Sequence, residues 1–262
     1  MVVNSLIFSV LLLFSNALVA KDLVYLTSGE WPPYLSNNLP ENGYASHIVK
    51  EAFSAVGIDV TFGFFPWERS FQYAKRGINP NGEIWHGSLV WVHTRDREKN
   101  FYYSDSVVTD QEVLFFLNDS AFSWDKPKAL EGKIIGGTSH TVYPLFERAE
   151  NEGLVRIDRA GNYDILFKRL LMNRIDAVPQ VKHVGNYYLH NNLTAKERAK
   201  ITFSKSVIET RSYHLILSKR LKKNKQLIEL FNEGLNKIKL NGKYKELETS
   251  FYSGDYDNIK KL

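Results

Sequence analysis

The chain has 262 residues, 44% of them hydrophobic and 24% charged, with a formal net charge of +5 at neutral pH. That balance fits a globular protein of one large domain or two small ones, and the absence of cysteine excludes disulfides, thiol catalysis, cysteine-bound metal and a lipid-modified N-terminal cysteine. The densest basic run, "KRLKKNK" at 219–225, borders a helical pattern and reads as a solvated face, and no basic–aromatic signature points to nucleic acid.

The first twenty residues, "MVVNSLIFSVLLLFSNALVA", carry no charge and hold an apolar run from Leu6 to Phe14. The run falls short of the roughly 20 apolar residues that span a bilayer. It ends in Ala17 and Ala20 just before "KD", the pattern of a secretory signal peptide cleaved after Ala20, with Ala17 as the alternative site. No Lys or Arg precedes the run, so the α-amino group alone supplies the positive end. No later segment is apolar enough to cross a membrane, and the chain is expected to be exported.

From Lys21 onward, short apolar runs alternate with helical patterns. "LVYLT" (23–27) predicts a buried strand, and "ASHIVKEAFSAVG" (45–57) a helix with Ile48, Val49, Ala52, Phe53 and Val56 on one face and Gly57 as its stop. "DVTFGFF" is the next strand; Pro66 then opens the helix "WERSFQYAKRG", which stops at Gly77. A turn-rich stretch leads to a third strand, "SLVWV". The order β-α-β-α-β implies a largely parallel sheet with covering helices. A second series follows: strands "EVLFFL" (112–117) and "KIIGG", a helix from about Thr141, helix "YDILFKRLLMNR" (163–174) and strand "DAVPQV". After "SYHLIL" (213–218), a long amphipathic helix runs through "QLIELFNEGLNKIKL" and closes at Asn241-Gly242. No Gly/Ser linker separates the series; the switch falls in the β-prone "SDSVVTDQEVLFFL", so strands rather than a floppy linker join two lobes.

The first loop, "TSGEWPPYL" (27–35), sets Trp31 and Tyr34 around Pro32-Pro33. Proline fixes φ and removes a donor, so this is a stiff, extended loop holding two aromatics, either as a binding wall or as a lid over the core.

Five ordered segments carry a resemblance: "GEWPPY" after the first strand, "TRDREKNFYYSDSV", "LEGKIIGGTSHT", "NRIDAVPQ" and the C-terminal "LNKIKLNGKYKELETSFY". With them the chain resembles the bacterial periplasmic solute-binding proteins of ABC importers, polar amino acid-binding type (family 3). The resemblance implies an α/β fold of the two-lobed, type II "Venus flytrap" kind, each lobe a mixed sheet flanked by helices. Residues 1–20 are then the signal peptide, 21–109 with 210–262 lobe one, and 110–209 lobe two, joined by hinge strands near 107–113 and 205–212. It further implies a monomer in the periplasm that closes on a small-molecule ligand and delivers it to an inner-membrane ABC permease, without a cofactor.

The resemblance also nominates residues. Arg97 stands where the family places the arginine that clamps a ligand α-carboxylate, and a guanidinium suits that role because its parallel donors stay charged when desolvated; the bland alternative is a surface ion pair with Asp96 or Glu98. Trp31 and Trp67 match cleft aromatics, able to sandwich a flat, cationic or aliphatic group, or else pack in the core. Tyr34, Arg69, His140 and Gln180 are further candidate ligand contacts. Thr141 matches a hydroxyl residue that supports the arginine from the opposite lobe, at a predicted helix start where Thr138, Ser139 or Thr141 also suits capping. One departure bears on the ligand. Family members carry, five residues beyond the Asp of "IDA", an Asp that holds the ligand ammonium; counting from Asp176 gives Val181. The positions before Arg97 read "LVWV" (89–92) in place of small or hydroxyl residues. The carboxylate half of the site is present and the ammonium half is not, which points to a carboxylate lacking a free amine, a modified amino acid, or a bulkier ligand held by aromatics.

An enzyme is the rival class. The seven histidines (47, 86, 93, 140, 183, 190, 214) show no H-x-H or HExxH metal spacing, and neither G-x-S-x-G nor a phosphate-binding Gly-Lys-Ser/Thr loop occurs. Neither a transglycosylase nor a kinase follows the binding module in this chain, so catalysis is not expected; a free-standing ligand sensor feeding a separate signalling protein is the alternative to import.

Overall fold

The computed structural model describes residues 22–257 apart from 121, 123, 125, 126, 139, 140, 161 and 162, so the predicted leader, Ser139 and His140 lie outside the described residues. Strand β1 (Leu23–Ser28) is followed by α1 (Tyr44–Ser54), which buries Ile48, Val49, Ala52 and Phe53 at the predicted helical spacing. Strand β2 (Asp59–Phe64) lies parallel to β1. Helix α2 (Trp67–Arg76) starts after Pro66 and stops at Gly77, whose φ of 75° is the left-handed conformation that suits glycine at a helix end. Strand β3 (Gly87–Val92), the short helix α3 (Arg95–Glu98) and the 17-residue strand β4 (Phe101–Leu117) complete the first passage.

Next come β5 (Lys133–Thr138), α4 (Pro144–Asn151), β6 (Val155–Ala160), α5 (Tyr163–Leu171) and β7 (Val178–Val181). Helices α6 (Lys182–Asn192) and α7 (Ala195–Arg198) lead to β8 (Ile201–Phe203). The chain returns along β9 (Glu209–Ser218) to α8 (Asn224–Leu240) and α9 (Lys243–Ser253).

The large sheet has the order β2-β1-β3-β9-β4-β7, with β8 also paired to β4. Its β2-β1-β3 edge is parallel as predicted, but β9 is antiparallel to both neighbours, so the sheet is mixed. β5 pairs with β6 in parallel, and Ile135 bridges to Ala177 just before β7.

Strand β4 runs through more than one core. Val107 and Val108 belong to a cluster with α1, α8 and α9, whereas Val113, Phe115 and Leu117 pack with α5, and Leu114 with Tyr143, Phe146 and Ile157. The first cluster is held by aliphatic and aromatic side chains such as Phe53 and Phe231, both fully buried, and each such burial contributes about 1.5–3 kcal/mol. Gly234 lets α8 sit directly on α1: a Cβ there would fall 1.9 Å from the Ala52 carbonyl oxygen. The result is the mixed α/β, two-lobed type II architecture.

Two local expectations change. The helix expected from about Thr141 begins at Pro144, because proline suits the first helical position and disfavours helical backbone at the residue before it, here Tyr143 at ψ 77°. The "WPPY" loop is a tight turn rather than an extended one: Trp31 N–H donates to the Leu35 carbonyl at 2.7 Å, and Tyr34 and Leu35 N–H both donate to the Trp31 carbonyl. The prolines lack N–H groups, so Trp31, Tyr34 and Leu35 supply all the donors that close it.

Candidate ligand-binding site

Trp31 is half-buried at the end of β1, stacked on Tyr34 at 4.7 Å and 4.8 Å from the Tyr213 ring. Tyr34 is only 2% exposed, and its hydroxyl donates to Asp110 Oδ2 at 2.6 Å. It therefore backs Trp31 rather than presenting a surface of its own. Trp67, the first residue of α2, donates from Nε1 to the Glu30 carbonyl at 3.2 Å and meets Trp91 edge-on at 5.4 Å. Its indole covers the backbone before Trp31 so closely that a Cβ on Gly29 would lie 2.4 Å from the ring.

Arg97 joins this wall through Trp91. Its guanidinium sits 4.8 Å over the Trp91 ring, and Nη1 donates to the Val92 carbonyl at 3.0 Å. Thr94 Oγ1 accepts the Arg97 N–H and fixes the start of α3. The carboxylates beside Arg97 are engaged elsewhere: Asp96 with Lys99 at 3.0 Å and Glu98 with His93 at 3.5 Å. Among the described residues no acidic group pairs with Arg97. Arg69 is exposed on α2. Before Arg97, β3 is bulged between Ser88 and Trp91, and Val90 has φ 44°, a strained value for a β-branched residue that marks a site held in shape by its surroundings.

Thr138 ends β5, Thr141 lies between β5 and α4, and Gln180 lies in β7. The Thr138 N–H donates to the Tyr143 hydroxyl at 3.0 Å, and Thr138 Oγ1 donates to Thr141 Oγ1. Arg159 pins this loop by donating to the Thr138 and Thr141 carbonyls at 3.0 and 2.9 Å while pairing with Glu147 at 2.7 Å. Arg159 lies in a strand pattern that sequence reasoning passed over. Gln180 is 4% exposed; its Oε1 accepts the Val181 N–H, and its Nε2 has no partner among the described residues. Val181 is buried at 5% exposure in the cluster around α1 and α8. No hydrogen bond among the described residues joins Thr141 or Gln180 to Arg97. A separate cavity of about 130 Å³ lies between α5 and α6, lined by Asp164, Phe167, Lys168 and Tyr188 among others, and none of the nominated residues lines it.

Where β4 and β9 pass between the cores, two charged groupings were not legible in the sequence. Asp110 Oδ2 accepts from Tyr34 and lies 3.0 Å from His183 Nδ1, while Oδ1 accepts the Gln111 N–H. Burial alone would push this carboxyl up, but the hydrogen bonds, those of His183 foremost, hold it below the usual carboxylate range. Two residues on, Glu112 and Glu209 face each other across the strand pair and share Arg211. Burial pushes the Glu112 carboxyl up to about 7, opposed by Arg211 and reinforced by the like charge of Glu209.

Comparison with known proteins follows the same lines. The fold matches the second substrate-binding domain of a putative amino acid ABC transporter from Streptococcus pneumoniae (TM-score 0.64, 19% identity, covering 87% of this chain and 98% of that one). It is similarly close to the GluR0 ligand-binding core from Nostoc punctiforme in complex with (L)-glutamate (TM-score 0.65, 19% identity, 90% and 100% covered). A histidine kinase sensor domain with similarity to periplasmic binding proteins also matches (TM-score 0.68, 15% identity, 88% and 96% covered). No curated protein sequence matches. The family model of the bacterial extracellular solute-binding proteins, family 3, matches residues 23–254, and the chain belongs to that family.

Proposed function

We propose that this protein captures a small carboxylate-bearing ligand without a free ammonium group, in a cleft between lobe one (21–109 and 210–262) and lobe two (110–209), for ABC-type import. The carrying observation is a pair of opposites: Arg97 spreads over Trp91 with no acidic partner among the described residues, whereas position 181 is a buried valine. An unpaired guanidinium held by one carbonyl keeps further N–H donors for a carboxylate. A ligand ammonium brought to Val181 would be desolvated without a counter-charge, which is costly.

In this reading Trp31 and Trp67 form the apolar wall and Tyr34 supports it. Thr141 and Gln180 close from lobe two, with Arg69 at the rim. The chain is exported by cleavage after Ala20 and works as a monomer with an inner-membrane permease. A thermal-shift screen comparing free amino acids with their N-acetyl derivatives and with simple carboxylates tests it. A ligand at about 100 times its Kd stabilises by about 2.7 kcal/mol. Hits among amine-blocked or amine-free compounds are expected; a response confined to free amino acids overturns the assignment.

A further inference from the structure

The Asp110 carboxylate on β4 gathers two separate parts of the chain on one oxygen. Tyr34 reaches it from the turn after β1 at 2.6 Å, and His183 from the start of α6 at 3.0 Å, both to the same Oδ2. Tyr34 is the residue on which Trp31 stacks, and His183 is on the helix that follows β7. Phe251 of α9 packs against both, 5.2 Å from the Tyr34 ring and 4.9 Å from the His183 ring. We propose that Asp110 is the positioning residue of this binding protein: through one oxygen it ties the Trp31 wall to α6, so that the angle between the lobes and the seating of the aromatic wall change together. This goes beyond the reading of the ligand and stands on the two-lobed fold alone, so its test uses the protein without ligand.

Asp110 is held below the usual carboxylate range, so its ionised oxygen accepts both bonds as charge-assisted ones. Other groups face it. Tyr34, Tyr213 and Tyr252 act on Asp110 from the first loop, β9 and α9, and Asp257 acts on His183 and His190 from beyond α9. Arg211 stands opposite Asp110 on β9 but turns to Glu112 and Glu209; Lys182 turns away onto the Phe203 ring.

The chain has no cysteine, so spin labels at Lys225→Cys on α8 and Lys196→Cys on α7, both exposed, report the interlobe distance by double electron–electron resonance. The expected result is a narrow distribution in the native sequence. Tyr34→Phe, which keeps the ring and loses only the hydroxyl, and His183→Gln should both broaden it. Because His183 keeps a 27% exposed side chain, its substitution leaves the fold intact and carries the test if Tyr34→Phe does not fold. A width unchanged by His183→Gln overturns the proposal.

Discussion

Replacing Glu112 by glutamine should change how stability depends on pH, in a direction opposite to that of an ordinary carboxylate. Glu112 is 6% exposed, sits in register with Glu209, and shares Arg211 with it at 3.1 Å. Its folded value of about 7 lies above the 4.5 of the unfolded chain. Between those values the folded state binds more protons, so stability falls as pH rises from about 4.5 to 7. At 1.36 kcal/mol per unit the difference corresponds to about 3 kcal/mol. Glutamine keeps the shape and an acceptor for Arg211 but cannot ionise. The variant should match the native protein near pH 4.5 and exceed it at pH 8 by up to that amount. Taking 2–4 °C per kcal/mol for a chain of this size, the gain in Tm at pH 8 is about 6–12 °C. Thermal unfolding followed by circular dichroism at several pH values measures it. Parallel curves for the two proteins would refute the reasoning and show that Arg211 keeps Glu112 ionised throughout.

Two other outcomes follow from the same geometry. Val181→Asp places a carboxylate at a site 5% exposed within the cluster around α1 and α8, which should cost several kcal/mol in the free protein. If the family's ammonium position is here, free amino acids should then stabilise the variant more than they do the native chain; equal stabilisation in calorimetry would remove that position from the site. Trp31→Ala opens a gap between Tyr34 and Tyr213, costing about 2 kcal/mol of stability, and should weaken ligand binding at least tenfold. An unchanged affinity would make Trp31 a lid over the core.

What the sequence made legible follows physical range. The elements from β1 to α2 show in local periodicity and in stops such as Gly77, since those signals lie within a few residues. The expected start of α4 near Thr141 falls early, because Pro144 sets the first turn and Tyr143 makes no side-chain cap. The insertion of β9 between β3 and β4 was not legible, because its partners lie about a hundred residues or more away along the chain. The same holds at the candidate site. Arg97, Trp31 and Trp67 sit in recognisable local contexts, but Tyr34 and Asp110 are 76 residues apart and Asp110 and His183 are 73 apart. No short pattern announces such a meeting. The first three strands are parallel as their order implies, and only the returning strand β9, antiparallel to both neighbours, makes the sheet mixed.

The account turns on Arg97, and its loss is the most direct measurement. Its side chain meets the Val92 carbonyl, the Trp91 face and the neighbouring Tyr103 hydroxyl but no carboxylate among the described residues, so Arg97→Ala should leave Tm nearly unchanged. Losing charge-assisted hydrogen bonds to a carboxylate costs about 1.5–3 kcal/mol, or about a 10- to 150-fold rise in Kd. Titration calorimetry with the tightest carboxylate from the thermal-shift screen, run on the native protein and on Arg97→Ala, gives that ratio. The account predicts a loss in this range with the fold intact; native affinity in Arg97→Ala would contradict it.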